Sequence, residues 1–345
     1  MAIPSRPVVS LTVVPSPGHF DPTHPEHPRR LEGLAQAASG AFAETLHIVP
    51  PAEAEEEALL AVHPPAHLEF LRKACEQAPA IIDFAPTYVT TDSLASARQS
   101  AGGTLQVLEE ILDGRAGCGF AAVRPPGHHA TPTRAMGFCL LNNAAIAARA
   151  AQRRGCEKVM IVDFDVHHGN GTQEVFEEDA TVLYVSTHQG GIYPGTGRLE
   201  ELGRGRAQGT NVNLPLPAGA GDEAFAQIAA EVFLPLALRF RPDFLIVSAG
   251  YDAHWMDPLA SLQLTTIGFH RLSRDLMEIA RSVCGGRALF VLEGGYDAAV
   301  VREGVLASIA AMTGDPAPID RLGQAPAPQT DVGHVLRAAK ALHGL

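Results

Sequence analysis

The chain is expected to form a single α/β domain, a mainly parallel β-sheet with helices on both faces, and three observations lead there. Short β-branched runs alternate with stretches long enough for helix, the order that builds parallel sheets. Those runs, such as Val159-Met-Ile-Val162 and Phe244-Leu-Ile-Val247, are apolar at every position, as in strands buried on both faces. No linker-like Gly/Ser tract and no internal repeat divides the 345 residues, so one catalytic domain is expected over 1–345, with its core at about 10–315 and a tail at 316–345.

Leu11 to Val14 reads as the first strand. It leads into Gly18-His-Phe-Asp-Pro-Thr-His-Pro-Glu-His-Pro28, where proline forbids helix and stiffens the connection. Helices are expected at 29–40, 53–62 and 67–77. A longer one, capped by Asp92 or Ser93, runs through Ala101-Gly-Gly to Asp113-Gly114, its paired glycines implying close packing. Alternation then becomes regular: strands at 119–123, 159–162, 182–185, 212–216, 244–247 and 288–292, with helices at 142–154, 222–240, 267–283 and 298–312. Gly169-Asn170-Gly171 reads as a turn. The Pro/Ala/Gly segment from Gly314 to Pro328 should wrap the surface before a last short helix.

Hydrophobic content of 46% supports a large core, while the net charge of −12 and a pI near 5.6 disfavour general binding to nucleic acid or anionic membrane. The five scattered cysteines, with no Cys-x-x-Cys, read as a reduced chain. The N-terminus carries Arg6 but no apolar leader core, and no apolar run is long enough to span a bilayer. A cytoplasmic protein with no nucleic-acid or membrane partner is expected, and a homo-oligomer is compatible with all of this.

Chemistry is concentrated where strands stop. In Lys158-Val-Met-Ile-Val-Asp-Phe-Asp-Val-His-His-Gly-Asn-Gly171, residues two apart face the same way, so Asp165 and His167 meet one pocket with Asp163 behind them. Carboxylate oxygen plus imidazole nitrogen suits zinc, or iron or cobalt in the same geometry. Ligands in parallel sheets bind beyond the carboxyl ends of the strands. That rule gathers Arg124-Pro-Pro-Gly-His128-His129, Asp163-Phe-Asp165-Val-His167, Ser248-Ala-Gly-Tyr-Asp252 and Glu293-Gly-Gly-Tyr296 at one rim. Each alone has an ordinary explanation as a turn or cap; four at one edge point to a site. Asp252 supplies a third ligand. An Asp₂His site leaves the metal less electrophilic, so a general base is needed, and His128 and His129 are both candidates. Asp163 can orient His128, Asn170 can orient His129, and Tyr296, on a flexible Gly294-Gly295, can swing its hydroxyl onto a carbonyl oxygen. These parts describe metal-assisted amide hydrolysis.

The motifs Arg-Pro-Pro-Gly-His-His-Ala130, Gly-Phe-Cys-Leu-Leu-Asn-Asn143, Asp-Phe-Asp-Val-His-His-Gly-Asn-Gly171, Tyr-Pro-Gly-Thr-Gly197, Gly-Tyr-Asp-Ala-His254 and Leu-Glu-Gly-Gly-Tyr296 resemble those of the histone deacetylase/acetylpolyamine amidohydrolase family, in its bacterial, class II-like form. The resemblance implies an arginase-like α/β fold and zinc bound by Asp165, His167 and Asp252, with iron as an alternative metal. It also implies His128 and His129 as the tandem histidines, with His129 favoured as base and acid, and Tyr296 as the residue polarising the carbonyl. Gly137 would accept the substrate amide N–H, Phe138 and Tyr193 would flank an acyl-lysine tunnel, Leu259 would sit at its rim, and Arg30 would serve an internal acetate-release pocket. A structural potassium would lie against Asp163, Asp165, His167, Ser186 and the Thr187 carbonyl.

Departures from the family pattern bear on substrate. Asn170 stands where many class I members carry Asp, Tyr193 replaces the more usual Phe, and no acidic peptide anchor aligns between Tyr88 and Asp92. Leu259 is apolar where polyamine-selective members place an acidic gatekeeper. The expected activity is zinc-dependent removal of a short acyl group, acetyl first, from acyl-lysine or from a small amide such as an acetylpolyamine or a xenobiotic N-alkyl amide. An arginase-like manganese ureohydrolase would need bridging Asp ligands where His128 and His129 stand, and a non-cleaving acyl-lysine binder would have no need of the complete His pair and Tyr296. Cys139, beside the tunnel, is expected to be packing rather than a nucleophile.

Overall fold

The structure is a computed structural model and describes residues 7–345; residues 1–6, with Arg6, lie outside the described part. Eight parallel strands form one sheet in the order β2-β1-β5-β10-β9-β6-β7-β8, where β1 is Val9–Val14, β2 Leu46–Ile48, β5 Cys118–Val123, β6 Val159–Asp163, β7 Val182–Gln189, β8 Asn211–Leu216, β9 Phe244–Ala249 and β10 Ala288–Leu292. Two further strands, β3 (Ala80–Ile81) and β4 (Tyr88–Val89), make a separate short antiparallel pair.

Strand alternation divides the core in two. Phe120, Met160, Val162, Leu245 and Val247 face a layer that includes helices α7 (Asp222–Ile228), α9 (Thr266–Cys284) and α10 (Ala298–Thr313). Their neighbours Ala121, Val159, Ile161, Phe244 and Ile246 face the opposite layer, which includes α4 (Ser93–Leu112) and α5 (Asn143–Arg153). Covering both faces is why the strands read as unbroken apolar runs. The paired glycines of α4 do mark a close approach: a Cβ on Gly102 would lie 1.9 Å from the Ala52 carbonyl oxygen.

The structure corrects several expected elements. Residues 28–31 form a 3₁₀ turn, and helix α1 (Leu34–Phe42) begins only after it, because Pro28 supplies a first-turn residue while Gly33 takes a left-handed φ of 70°. The expected turn at Gly169-Asn170-Gly171 opens a short helix, α6 (Asn170–Phe176). The helix of 222–240 is broken by a π turn at Ala229–Phe233. Strand β7 continues four residues past the apolar run, through Ser186-Thr187-His188-Gln189, because those polar residues still pair with β8.

The His- and Pro-rich loop is fastened beneath the rim by a fully buried carboxylate. Glu26 accepts from Arg124 Nη2 at 2.6 Å and from Arg30 Nη1 at 3.0 Å, so the loop is tied to the end of β5. Burial would raise the Glu26 pKa from 4.5, but Arg124, with Arg30 behind it, brings it down to about 2. A depressed carboxylate pKa stabilises the fold fully above the unfolded value and loses that contribution as pH falls from 4.5 towards 2. Glu26→Gln should therefore cost about 3–5 kcal/mol at neutral pH by leaving two buried guanidinium groups under-compensated. Its stability, measured by urea unfolding between pH 6 and 3, should fall less steeply than that of the parent.

Candidate active site

Three neighbouring strands, β6, β9 and β10, bring their following loops together: Asp163 pairs in register with Ser248, and Ser248 with Val291. At this rim the candidate ligand atoms of Asp165, His167 and Asp252 lie within 4.8 Å of one another. His167 Nδ1 is 3.2 Å from Asp165 Oδ1 and 3.3 Å from Asp252 Oδ2. Tetrahedral ligands at zinc-like bond lengths of about 2.1 Å stand about 3.4 Å apart, so the triangle is already sized for a cation. The remaining oxygens are held by backbone: Asp165 Oδ2 accepts the Gly294 N–H at 2.7 Å and Asp252 Oδ1 the Val166 N–H at 3.0 Å. Asp252 Oδ2 is buried and makes no hydrogen bond. Burial resists charge on His167, but the two carboxylates raise its pKa to about 10. An imidazolium proton there does the charge balancing that a divalent cation would take over, and the donor set fits a metal.

Glycine is required around this triangle. A Cβ on Gly294 would come 2.0 Å from Asp252 Oδ2, and one on Gly250 2.1 Å from Asp165 Oδ2. Gly294-Gly295 is therefore buried and pinned, which corrects the expectation of a flexible hinge. The Tyr296 backbone N–H donates to Asp257 Oδ2 at 2.7 Å, its ring meets Phe138 edge-on at 5.8 Å, and the Arg30 guanidinium lies 5.2 Å over it.

The tandem histidines stand beside the ligands with opposite electrostatics. His128 Nδ1 is 3.1 Å from Asp163 Oδ2, and its Nε2 is 3.7 Å from Asp165 Oδ1. Against the opposing effect of burial, Asp165 and Asp163 raise its pKa to about 10. His129 Nδ1 is 2.8 Å from Asn170 Oδ1, a neutral acceptor. Burial first, then the charges of His128 and His167, hold its pKa well below the ordinary value. Both expected pairings, Asp163 with His128 and Asn170 with His129, are therefore present.

The remaining expected residues take several places around the candidate site. Gly137 (φ 56°) and Phe138 (φ 70°) form a left-handed step, and a Cβ on Gly137 would lie 2.4 Å from the His129 ring. The Tyr193 ring meets His129 edge-on at 5.0 Å, and its buried hydroxyl has no hydrogen-bond partner. Leu259 is 40% exposed, at the outside. Arg30 is buried and donates to the Gly295 and Glu293 carbonyls. Ser186 and Thr187 lie on β7, Ser186 opposite Asp163, and Thr187 Oγ1 donates to the Asp163 carbonyl at 3.3 Å. Cys139 is fully buried with its thiol pKa pushed well up by burial, in keeping with packing.

Sequence reasoning missed four contributors. Asp83 accepts the Gly137 N–H at 3.2 Å, an acidic side chain beside the candidate site that lies earlier in the chain than Tyr88 to Asp92. The Tyr184 hydroxyl donates to Asp163 Oδ2 at 2.9 Å. His63 Nε2 accepts the Asn142 N–H at 2.9 Å, at the start of α5. The fourth, Glu293, accepts the backbone N–H groups of Gly127 and His128. Only Glu293 had a local signal, a carboxylate inside a strand-end motif.

Residues 24–312 match the histone deacetylase domain. The chain belongs to the histone deacetylase family. Among its relatives in this family are histone deacetylase 14, chloroplastic, of Arabidopsis thaliana, 39% identical over 95% of this chain and 83% of that protein, and a probable deacetylase of Archaeoglobus fulgidus, 41% identical over 79% and 77%. A histone deacetylase-like amidohydrolase of Pseudomonas aeruginosa is 39% identical over 86% of this chain and 77% of its own. The crystal structure of the HDA15 HD domain superposes with a TM-score of 0.88 at 36% identity, covering 97% of this chain and 94% of that one. The deacetylase fold, with its parallel sheet flanked by helices, is thus shared. No helix among the described residues is long and apolar enough to cross a membrane.

Asp252→Asn should lower metal retained after dialysis well below one equivalent per chain, whereas Asp163→Asn should leave it near that of the parent. Metal analysis of the two purified variants checks this.

Proposed function

We propose that the chain is a zinc-dependent amidohydrolase that removes an acetyl or similarly short acyl group from an amine, with iron as the alternative metal. The observation that carries this reading is the pair of adjacent imidazoles, 4.0 Å apart and held at Nδ1 by unlike partners, Asp163 for His128 and Asn170 for His129, beside the lone-pair donors of Asp165, His167 and Asp252. Two like groups whose environments push their pKa values apart take different roles. Asp165, His167 and Asp252 would hold the zinc, which would supply Lewis-acid polarisation of the amide carbonyl and a more acidic water. His129, neutral and oriented through Nδ1 by Asn170, has Nε2 free to take the water proton and return it to the leaving amine. His128 stays cationic against Asp163 and stabilises the negative charge that develops. Tyr296 offers its hydroxyl to the carbonyl oxygen from the far wall. Asp83 and the Gly137 carbonyl are the groups at the mouth suited to substrate N–H donors, and Phe138 and Tyr193 enclose the chain between. A structural potassium at Asp163, Ser186 and Thr187 belongs to the same proposal.

Acyl-lysine in proteins is the first substrate class, because Asp83 gives the mouth an acceptor for peptide N–H groups. Small amides are the second, favoured by the Tyr193 ring, which stands edge-on 5.0 Å from His129 and brings a hydroxyl close to a short acyl chain. Measuring kcat/KM on an acetyl-lysine peptide, an acetylpolyamine and an N-methyl amide separates them: a tenfold preference corresponds to about 1.4 kcal/mol of transition-state discrimination. Chelation should abolish turnover of all three, with zinc restoring it. Tyr296→Phe should lower kcat by about 10²-fold or more, the scale of one lost oxyanion donor; a loss of less than a few-fold contradicts the mechanism. Asn170→Asp places a negative charge on His129 Nδ1, raises the pKa of that base, and so should move the acid limb of the kcat/KM profile to higher pH.

A further inference from the structure

We propose that Glu293 is a positioning residue for the tandem histidines, its carboxylate gripping the Gly127-His128 backbone and so fixing where both rings stand. Glu293 follows β10 and is fully buried. Its Oε2 accepts two successive peptide N–H groups, from Gly127 at 2.7 Å and His128 at 3.0 Å. Its Oε1 accepts the Ser248 hydroxyl at 3.0 Å, and its own N–H donates to the Ala249 carbonyl at 3.0 Å. The side chain therefore links the ends of β5, β9 and β10, and it is itself held by β9.

The consequence for His128 is a two-point mount. Glu293 holds its backbone and Asp163 holds ring Nδ1, so neither the direction of the side chain nor the ring rotation is left free. His129 is the next residue and is fixed at its own Nδ1 by Asn170. Beneath them the step packs directly on α5, where a Cβ on Gly127 would come 2.5 Å from the Asn143 nitrogen. Two N–H donors converging on a single oxygen demand reach and direction; a charge acting at a distance would demand neither. Displacing a reacting group by about 1 Å can cost about 10²-fold in rate, so a slackened grip acts on kcat while the metal triad and the mouth are untouched.

Only the rate consequence rests on the amidohydrolase reading; the grip is tested separately. Glu293→Gln keeps the length and a carbonyl acceptor but removes the charge, whereas Glu293→Asp keeps the charge and loses the reach. In the metal-free protein, hydrogen exchange at the Gly127 and His128 amides should stay slow in Glu293→Gln and accelerate in Glu293→Asp. In the zinc-loaded protein acting on an acetyl-amide substrate, Glu293→Gln should retain kcat within about fivefold. Glu293→Asp should lose about 10²-fold in kcat with KM within about twofold. Unchanged exchange in Glu293→Asp, equal kcat losses in both variants, or the reverse order overturns the proposal. A parent protein inactive on every acyl amide would overturn the amidohydrolase reading instead, leaving the exchange result to decide the grip.

Discussion

The rest of the molecule is arranged around one electrostatic constraint, the burial of several carboxylates at the ends of three adjacent strands. Asp163, Asp165, Asp252, Asp257 and Glu293 are all withdrawn from solvent. Unpaired, such a group would be prohibitive, since each buried charge must recover by pairing and hydrogen bonding what it loses in hydration. Backbone supplies part of the answer: the N–H groups of Val166, His167, Gly294, Gly127 and His128 all point at carboxylate oxygens. Two imidazoles supply another part, His128 and His167, both drawn to a pKa of about 10. A divalent cation held by Asp165, His167 and Asp252 would take over the balancing that the His167 proton otherwise does. The glycines at 250 and 294 follow, because backbone can approach a carboxylate this closely only where no Cβ intervenes.

A parallel sheet makes this concentration attainable. All strands end at one edge, so residues as far apart as Gly127 and Glu293 become neighbours through nothing more than strand order and register. The second buried ion cluster, Glu26 with Arg124 and Arg30, works from beneath. It fastens the loop before α1 and places Arg30 against the Glu293 and Gly295 carbonyls and over the Tyr296 ring. The candidate site residues are thus positioned twice, by the register of the sheet and by the loop clamp.

What was legible in the sequence follows from the same physics. Strand cores such as Phe244-Leu-Ile-Val247 announce themselves because both faces are covered, but their ends do not, since pairing outlasts the apolar run at His188 and Gln189. Strands β2, β3 and β4 are two or three residues long, too short for any period to register. At the site, the candidate ligands and the His pair were readable because each sits in a compact motif directly after a strand. Asp83 and Tyr184 were not, because their contacts depend on loop path and register rather than on spacing: Asp83 meets Gly137 across 54 positions. The Gly294-Gly295 step was misread as a hinge for a related reason. Glycine in a sequence reports either freedom or crowding, and only the neighbouring carboxylates decide that it is crowding here.

The central claim is that Asp165, His167 and Asp252 together hold one metal ion. Anomalous X-ray diffraction at the zinc edge, from crystals of the full chain grown with zinc, tests it most directly. The account predicts a single strong peak enclosed by His167 Nδ1 and the facing oxygens of Asp165 and Asp252. An empty triangle with the three side chains bonded directly to one another, or a peak only at some other cluster, would contradict it.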